Sequence, residues 1–381
     1  VSVTAASGFV ATGLPIGLKK SGGKDLALVQ NLGPSKAAAV VFTSNRAKAN
    51  PILWSQQVIA DGIVEGIVLN SGGANCYTGS QGFQVTHATA EAFAEKLGVS
   101  AGDVLVCSTG LIGDQLPLDK IVAGIQKAEL SEAGGEDASE AILTTDTHAK
   151  RSIVRGTGWT IGGMAKGAGM LAPGLATMLV VITTDAVVES AQLDASLRAA
   201  TRVTFDRLDS DGCMSTNDQV TLLASGASGI APSPAEFTAA LTQVCDELAQ
   251  LLQEDAEGAS HDIVIETVNA VTEDDAVEVG RAVARNNLFK AAVFGNDPNW
   301  GRVLAAIGTT KAPFDPYAVD VSMNGVMVCR AGEPGESREL VDLAARRVHV
   351  LIDLKAGSAT ATIRTNDLTH DYVHENSAYS S

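Results

Sequence analysis

The sequence has no apolar run long enough to cross a membrane. Its longest apolar stretches, Met178 to Ile182 and Ala37 to Phe42 among them, fall far short of the roughly 20 residues a spanning helix needs, so no membrane partner is expected. Val1 to Leu14 places no basic segment ahead of an apolar core, and no secretory signal is expected there. Cysteine is scarce: Cys76, Cys107, Cys213, Cys245 and Cys329 are widely spaced, odd in number and form no CxxC pair. Such a set fits a reducing compartment rather than a disulfide framework, which points to the cytoplasm, or to an organelle matrix if a targeting segment has been trimmed. Basic residues are also short, 27 against 44 acidic ones, and the net charge of −17 opposes a polyphosphate backbone, so no nucleic acid is expected as partner. Familiar catalytic signatures are missing as well. There is no HExxH, no GxSxG and no Walker A, because Lys166 precedes Gly167 rather than Ser or Thr, and the six histidines show no metal-ligand spacing.

What is present is a folded globular chain of 381 residues, 45% hydrophobic and 19% charged, long enough for two or three domains. Short apolar runs at Asp25–Val29, Ala37–Phe42, Gly66–Leu69, Val104–Cys107 and Ile263–Val268 predict strands. Between them, spacings of three and four predict helices from Asn50 to Ile59, Gln81 to Leu97, Pro117 to Leu130, Leu193 to Leu208 and Asp274 to Leu288. Ser233-Pro234-Ala235-Glu236 is a capping box with proline at the first helical position, and Phe237, Leu241, Val244, Leu248 and Leu251 carry that helix toward Glu257-Gly258. Asn324-Gly325 between apolar strands predicts a type I′ hairpin, and Val348–Leu354 with Ala359–Ile363 predicts another strand pair. His87 falls on the apolar stripe of its helix and is expected to be a core residue.

The run from Gly162 to Asp185 concentrates the chemistry. A glycine-rich approach carrying Lys166 leads to Ala176 and then to Thr177, which opens a buried strand through Ile182. An internal threonine is a poor nucleophile because its hydroxyl lacks a base. Cleavage before it would release an α-amine with a pKa near 8 on the same residue, close to the ideal for a base at neutral pH. N-terminal threonine is a known nucleophile–base arrangement. Two other features carry no comparable chemistry. Asp209–Asp218 looks like a calcium loop, but aligning Gly212 to the turn glycine puts Arg207 first and Asp218 last, so no cation is expected there. Cys107, ending an apolar strand with no histidine nearby in sequence, is expected to be an inert core thiol.

Met164 to Met170, Leu171-Ala172-Pro173 and Ala176-Thr177-Met178-Leu179 resemble the self-cleavage region of the ornithine acetyltransferase (glutamate N-acetyltransferase) family. Cys107 to Gly113 resembles its oxyanion-hole turn, Ser215-Thr216-Asn217-Asp218 and Asp297 to Arg302 resemble further family segments, and Glu375 to Ser381 resembles its C-terminal tail. Asn70 to Gly79 departs from the family pattern around Cys76-Tyr77. The resemblance implies a mixed α/β fold with helices flanking sheets in two lobes, an N-terminal-threonine nucleophile enzyme of the DmpA/ArgJ-like kind. It implies an α-chain of residues 1–176 and a β-chain of residues 177–381, the latter with a C-terminal lobe from about 262 to 360. Thr177 would be the nucleophile, Thr109 and Gly110 the oxyanion hole, and Ala176–Thr177 the cleaved bond. Thr144, Lys166, Thr177, Glu257, Asn376 and Ser381 would contact substrate. Acetyl would pass from N-acetylornithine to glutamate by a ping-pong route, yielding ornithine and N-acetylglutamate, without metal or redox cofactor and in an α2β2 assembly. Acetyl-CoA stays open as an alternative donor. So do two other readings: a self-cleaving N-terminal-threonine amidohydrolase or aminopeptidase, and a binding protein in which Ala176–Thr177 stays whole.

Overall fold

A computed structural model describes residues 2–172 and 178–378, so Ala176, Thr177 and Ser381 lie outside the described residues. The chain is mixed α/β, with helices flanking three sheets. The first sheet has the order β1 (Phe9–Leu14), β2 (Leu26–Asn31), β4 (Gly66–Ser71), β5 (Val104–Thr109). The second runs β3 (Ala38–Phe42), β9 (Gln219–Ala224), β8 (Leu179–Thr184), β7 (Thr160–Lys166), β6 (Lys150–Arg155). These two sheets stack face to face. Along β8, Leu179 and Val181 join the core built on the first sheet, while Val180 and Ile182 join the core on the opposite face. Burial on both faces explains why Ile67–Leu69, Val104–Cys107 and Leu179–Ile182 within β4, β5 and β8 read as apolar runs rather than alternating ones. Helices α1 (Asn50–Val58), α2 (Gly79–Leu97) and α3 (Leu118–Lys127) cover the outer face of the first sheet, while the short α4 (Gly135–Ala141) lies against the other face of β1, beside β7. Helices α5 (Ser190–Val203) and α6 (Pro234–Glu254) cover the second, giving four layers in the order helix, sheet, sheet, helix.

The third sheet, in the order β13 (Glu333–Pro334), β12 (Val326–Arg330), β11 (Asp320–Met323), β14 (Arg347–Asp353), β10 (Asp262–Ala270), β15 (Ala359–Asn366), carries its own core. Its helices are α7 (Glu273–Ala284), α8 (Asn287–Phe294) and α9 (Trp300–Ile307), and α10 (His370–Ala378) follows the last strand.

Several expected elements stand as read. The capping box at Ser233 is closed in both directions, and Asn324 and Gly325 take the positive φ angles of 46° and 84° that the hairpin between β11 and β12 demands. Others are corrected. Val348–Leu354 and Ala359–Ile363 do not pair with each other: β10 lies between them, parallel to β14 and antiparallel to β15. The expected helix at 193–208 ends at Val203, where Thr204 leaves helical φ/ψ, and a 3₁₀ turn follows. The one expected at 274–288 ends at Ala284, after which the Asn286 side chain caps a new helix. Helix α6 stops at Glu254, short of Glu257. His87 is exposed, stacked on the Trp54 ring and paired with Glu91, because the buried face of α2 follows Val85, Thr89 and Phe93 instead.

The glycine-rich approach is itself a strand, β7. A Cβ on Gly162 would stand 2.0 Å from the Ser2 carbonyl oxygen, and one on Gly163 would stand 3.1 Å from Leu248. The N-terminal segment leaves no room for a side chain at Gly162, and α6 packs closely over Gly163 on the other face of β7.

Candidate active site

The ends of two strands from different sheets meet at the candidate site. β5 ends at Thr109, β7 ends at Lys166, and Lys166 Nζ donates to Thr109 Oγ1 at 3.2 Å. Because the lysine is the donor, the single hydroxyl proton of Thr109 is left for another acceptor. The turn beyond Thr109 is fixed from several sides. Gly72 and Gly73 donate their N–H groups to the Thr109 carbonyl, and Asn217 Nδ2 reaches the carbonyls of Ser108 at 2.8 Å and Ala74 at 2.6 Å. Gly110 adopts φ 132°, and a Cβ on it would lie 2.4 Å from the Gly73 nitrogen, so only glycine fits. Thr109 and Gly110 thus form a rigid, tightly turned pair. Cys107, two residues earlier, is buried, and burial raises its thiol far above the usual range, which leaves it unreactive.

Lys166 is fully buried, and burial pushes its ammonium down against the pull of Asp146. Asp146 is the hub of this charge cluster. Its Oδ1 accepts from Lys150 Nζ and from the Gly167 N–H, both at 2.6 Å, and its Oδ2 accepts the Thr144 N–H at 3.0 Å. Lys150 also reaches Asp255 at 2.6 Å. Burial alone would raise the Asp146 carboxyl, but Lys166 and Lys150 outweigh it and hold it down at about 2. A carboxyl held below its ordinary value of 3.8 contributes stability above that value and loses it as the pH falls toward 2. Urea unfolding of the wild type and Asp146→Asn is therefore expected to show a stability gap that narrows by about 2 kcal/mol as pH drops from 5 toward 2. A gap independent of pH would contradict the charged hub.

The remaining expected contacts gather next to this hub. Glu257 Oε1 accepts from the Thr145 hydroxyl and Oε2 from Asn376 Nδ2, each at 2.8 Å, and the carboxylate is close enough to act on Lys166. It sits where a side chain on Gly169 would be, since a Cβ there would meet Oε1 at 2.5 Å. Thr144 is exposed and joins the group through Asp146. On the other side, Met178, the residue after Thr177, is buried and fixed at both polar atoms. Its N–H donates to Asp218 Oδ1 at 3.0 Å and its carbonyl accepts from the Gln219 N–H at 3.2 Å. The calcium-like segment spends its carboxylates separately: Asp209 pairs with Arg285 and Asp211 accepts from Met170 and Cys213.

Sequence reasoning singled out Thr109, Gly110, Thr144, Lys166, Glu257 and Asn376, and the structure brings them into one connected region. It passed over Asp146, Lys150 and Asp255 and gave no role to Asn217 or Asp218. Only Lys166 carried a signal toward them, since it ends the mostly apolar strand β7 and a buried ammonium demands a carboxylate; Lys150 opens the polar strand β6 and carried none.

The ArgJ family model matches residues 10–381. Among curated relatives, the arginine biosynthesis bifunctional protein ArgJ of Streptomyces coelicolor is 65% identical, with 100% of both chains aligned. The protein of that name from Mycobacterium leprae is 54% identical, over 100% of this chain and 96% of its own. Among solved structures, the ornithine acetyltransferase of Mycobacterium tuberculosis complexed with ornithine is 50% identical over 47% of this chain and 96% of its own, with a TM-score of 0.45. With a family match over nearly its whole length and full-length relatives at this identity, the chain belongs to the ArgJ family.

Proposed function

We propose that the chain cuts itself between Ala176 and Thr177 and then moves acetyl from N-acetylornithine to glutamate through an acetyl-Thr177 intermediate. Membership of the ArgJ family, with full-length relatives named for arginine biosynthesis, makes it an acyltransferase of that pathway, a glutamate N-acetyltransferase. The residue-level mechanism rests on one observation above the rest: the Lys166–Thr109 hydrogen bond, in which the lysine donates and the hydroxyl proton of a locked turn is left free to donate elsewhere.

The Thr177 hydroxyl attacks the acetyl carbonyl carbon, and its proton passes to the Thr177 amine. The negative oxygen that develops is stabilised by the Thr109 hydroxyl and the Gly110 N–H, donors that need no reorganisation because Gly72, Gly73, Asn217 and Lys166 already hold them. The C–N bond breaks, the ornithine nitrogen recovers the proton, and glutamate's amine reverses the sequence. Glu257, oriented by Thr145 and Asn376, suits the distal ammonium of ornithine. It also lines a cleft of about 410 Å³ shared with Glu254, Asp255, Asp371 and Glu375, where Arg346 is the cation, a setting that favours a positively charged guest. Ser381 is proposed to contact substrate, and the two chain fragments to assemble as α2β2. No metal or redox cofactor is assigned a step, acetyl-CoA is a candidate second donor, and the cytoplasm is the proposed compartment.

Release of ornithine from N-acetylornithine tests this reading against the hydrolytic one. With glutamate absent, a stoichiometric burst and then arrest is expected; with glutamate present, turnover should continue. Equal steady rates in both conditions would identify water as the acceptor and overturn the transferase reading.

A further inference from the structure

Lys19 is a half-buried cation that the mechanism leaves unused. It stands on the loop between β1 and β2, which the buried Asp25 carboxylate ties down: Oδ1 accepts the Ile16 N–H at 2.7 Å, and Oδ2 accepts those of Leu18 at 2.6 Å and Lys19 at 3.0 Å. This loop packs on the turn that carries Thr109. A Cβ on Gly72 would stand 2.9 Å from Leu18 Cβ, and the Gly72 N–H donates to the Thr109 carbonyl. Lys19 Nζ donates to the Lys24 carbonyl at 2.7 Å, forms no ion pair among the described residues, and lies close enough to Lys166 and Asp146 to feel their charges. It is a firmly mounted ammonium beside the site, with donors to spare.

The two substrates of the proposed reaction make opposite demands at their distal ends: N-acetylornithine carries an ammonium there and glutamate a carboxylate. The cleft around Glu257 suits the first and repels the second. Glu254, Asp255, Asp371 and Glu375 share that cleft, and its cation, Arg346, is already committed to Asp262 at 2.9 Å. Lys150 is likewise spent, on Asp146 and Asp255, and Lys166 is engaged with Thr109. We propose that Lys19 receives the side-chain carboxylate of the acceptor glutamate, so that donor and acceptor place their side chains in different parts of one site. The inference rests on the transferase reading and deepens it, by naming what lets one site take side chains of opposite charge.

Burial pushes the Lys19 ammonium below its usual range against the pull of Asp25, with Lys166 adding to the downward push and Asp146 opposing it. Asp25 attracts the ammonium without bonding to it, since its oxygens are spent on backbone N–H groups. A carboxylate seated on Nζ supplies the missing direct counter-charge, so its arrival and the charged state of Lys19 favour each other. Because Asp25 and the Gly72 contact already fix the loop, little of it is left to order when the acceptor binds.

The test compares glutamate with glutamine as acceptor, because the amide keeps the shape of the side chain and removes its charge. The wild type is expected to prefer glutamate. Lys19→Met should lower kcat/KM for glutamate by about 10- to 100-fold, chiefly through KM, the loss expected for one hydrogen bond between charged groups. The same variant should leave kcat/KM for glutamine and the burst of ornithine from N-acetylornithine within about threefold of wild type, since neither involves the lost charge pair. Lys19→Arg should restore the preference, and Lys20→Met, which removes an exposed charge one residue on, should leave it intact. A glutamate-to-glutamine ratio unmoved by Lys19→Met overturns the inference, as does a wild type that uses both acceptors equally. Equal losses in the donor burst and with both acceptors also overturn it, because they place Lys19 at the α-carboxylate both substrates share or in the loop's folding alone. Where circular dichroism shows Lys19→Met unfolded, Lys19→Gln, which keeps a donor for the Lys24 carbonyl, takes its place with the same outcomes. Ornithine release that ignores glutamate overturns the transferase reading together with this inference. Glutamate-dependent turnover with an unmoved ratio overturns this inference alone.

Discussion

Thr177→Ala is expected to run as a single chain of 39.1 kDa on a denaturing gel and to lack acetyl transfer altogether. The same hydroxyl serves both events on the proposed route, so one deletion removes both. It attacks the Ala176 carbonyl to release the α-chain, and later attacks the acetyl carbonyl of the donor. Removing the nucleophile from a unit of interdependent groups costs about 10⁴-fold or more in turnover. Folding should survive, because the neighbouring anchor is provided by the Met178 backbone and Asp218 rather than by the threonine side chain. Thr177→Ser supplies the control: it retains a hydroxyl and an amine in the same relation and should be cut and active at a reduced rate. Two fragments from Thr177→Ala, or acetyl transfer near the wild-type rate, would sink the mechanism. Gel, circular dichroism and assay on one preparation separate loss of chemistry from loss of fold.

How far the sequence revealed this arrangement differs from residue to residue, and the differences have physical causes. Thr109 and Gly110 were legible locally only as a tight turn after a buried strand, where glycine suits the positive φ, and it was the family resemblance that marked them as a donor pair. Lys166 was legible as a residue but not as a place. Gly162 and Gly163 look like a loop, since glycine is a weak strand former, whereas the reason they are glycine is that Ser2 and α6 press on both faces of β7. That reason is tertiary and leaves no local trace. The same holds for β10, which enters between β14 and β15 from far earlier in the chain, so a local reading pairs the wrong strands. Asp146 sits in a polar Thr-Thr-Asp turn that reads as a helix stop, and only the convergence of Lys150 and Lys166 on it shows why it is ionised and buried. The periodicity that placed His87 inside was off by part of a turn, enough to move one residue from the core to the rim of a 19-residue helix.

Lys166 links the buried charge cluster to the Thr109-Gly110 turn, and on the proposed oxyanion role this sets the expected result for Thr109→Val. Valine matches the shape of threonine and fits a strand end, so the turn should keep its geometry while losing its hydroxyl donor. Losing one preorganised donor of this kind costs about 10² to 10³ in kcat, or roughly 3 to 4 kcal/mol of transition-state stabilisation. KM should change little, because the lost interaction strengthens only as charge develops on the oxygen. Thr109→Val also strips Lys166 Nζ of an acceptor at 3.2 Å, but the lysine retains its charge partner Asp146, so thermal stability should fall by much less than activity. Thr109→Ser restores the donor and should recover most of the rate. Gly110 cannot be tested in the same way, since its contribution is a backbone N–H and any side chain would collide with Gly73. If the turn serves self-cleavage as well as transfer, Thr109→Val should also slow the appearance of the two fragments, a second readout from the same sample. A kcat within about threefold of wild type would remove Thr109 from the transition state and leave the Lys166 contact as a purely structural bridge between the two sheets.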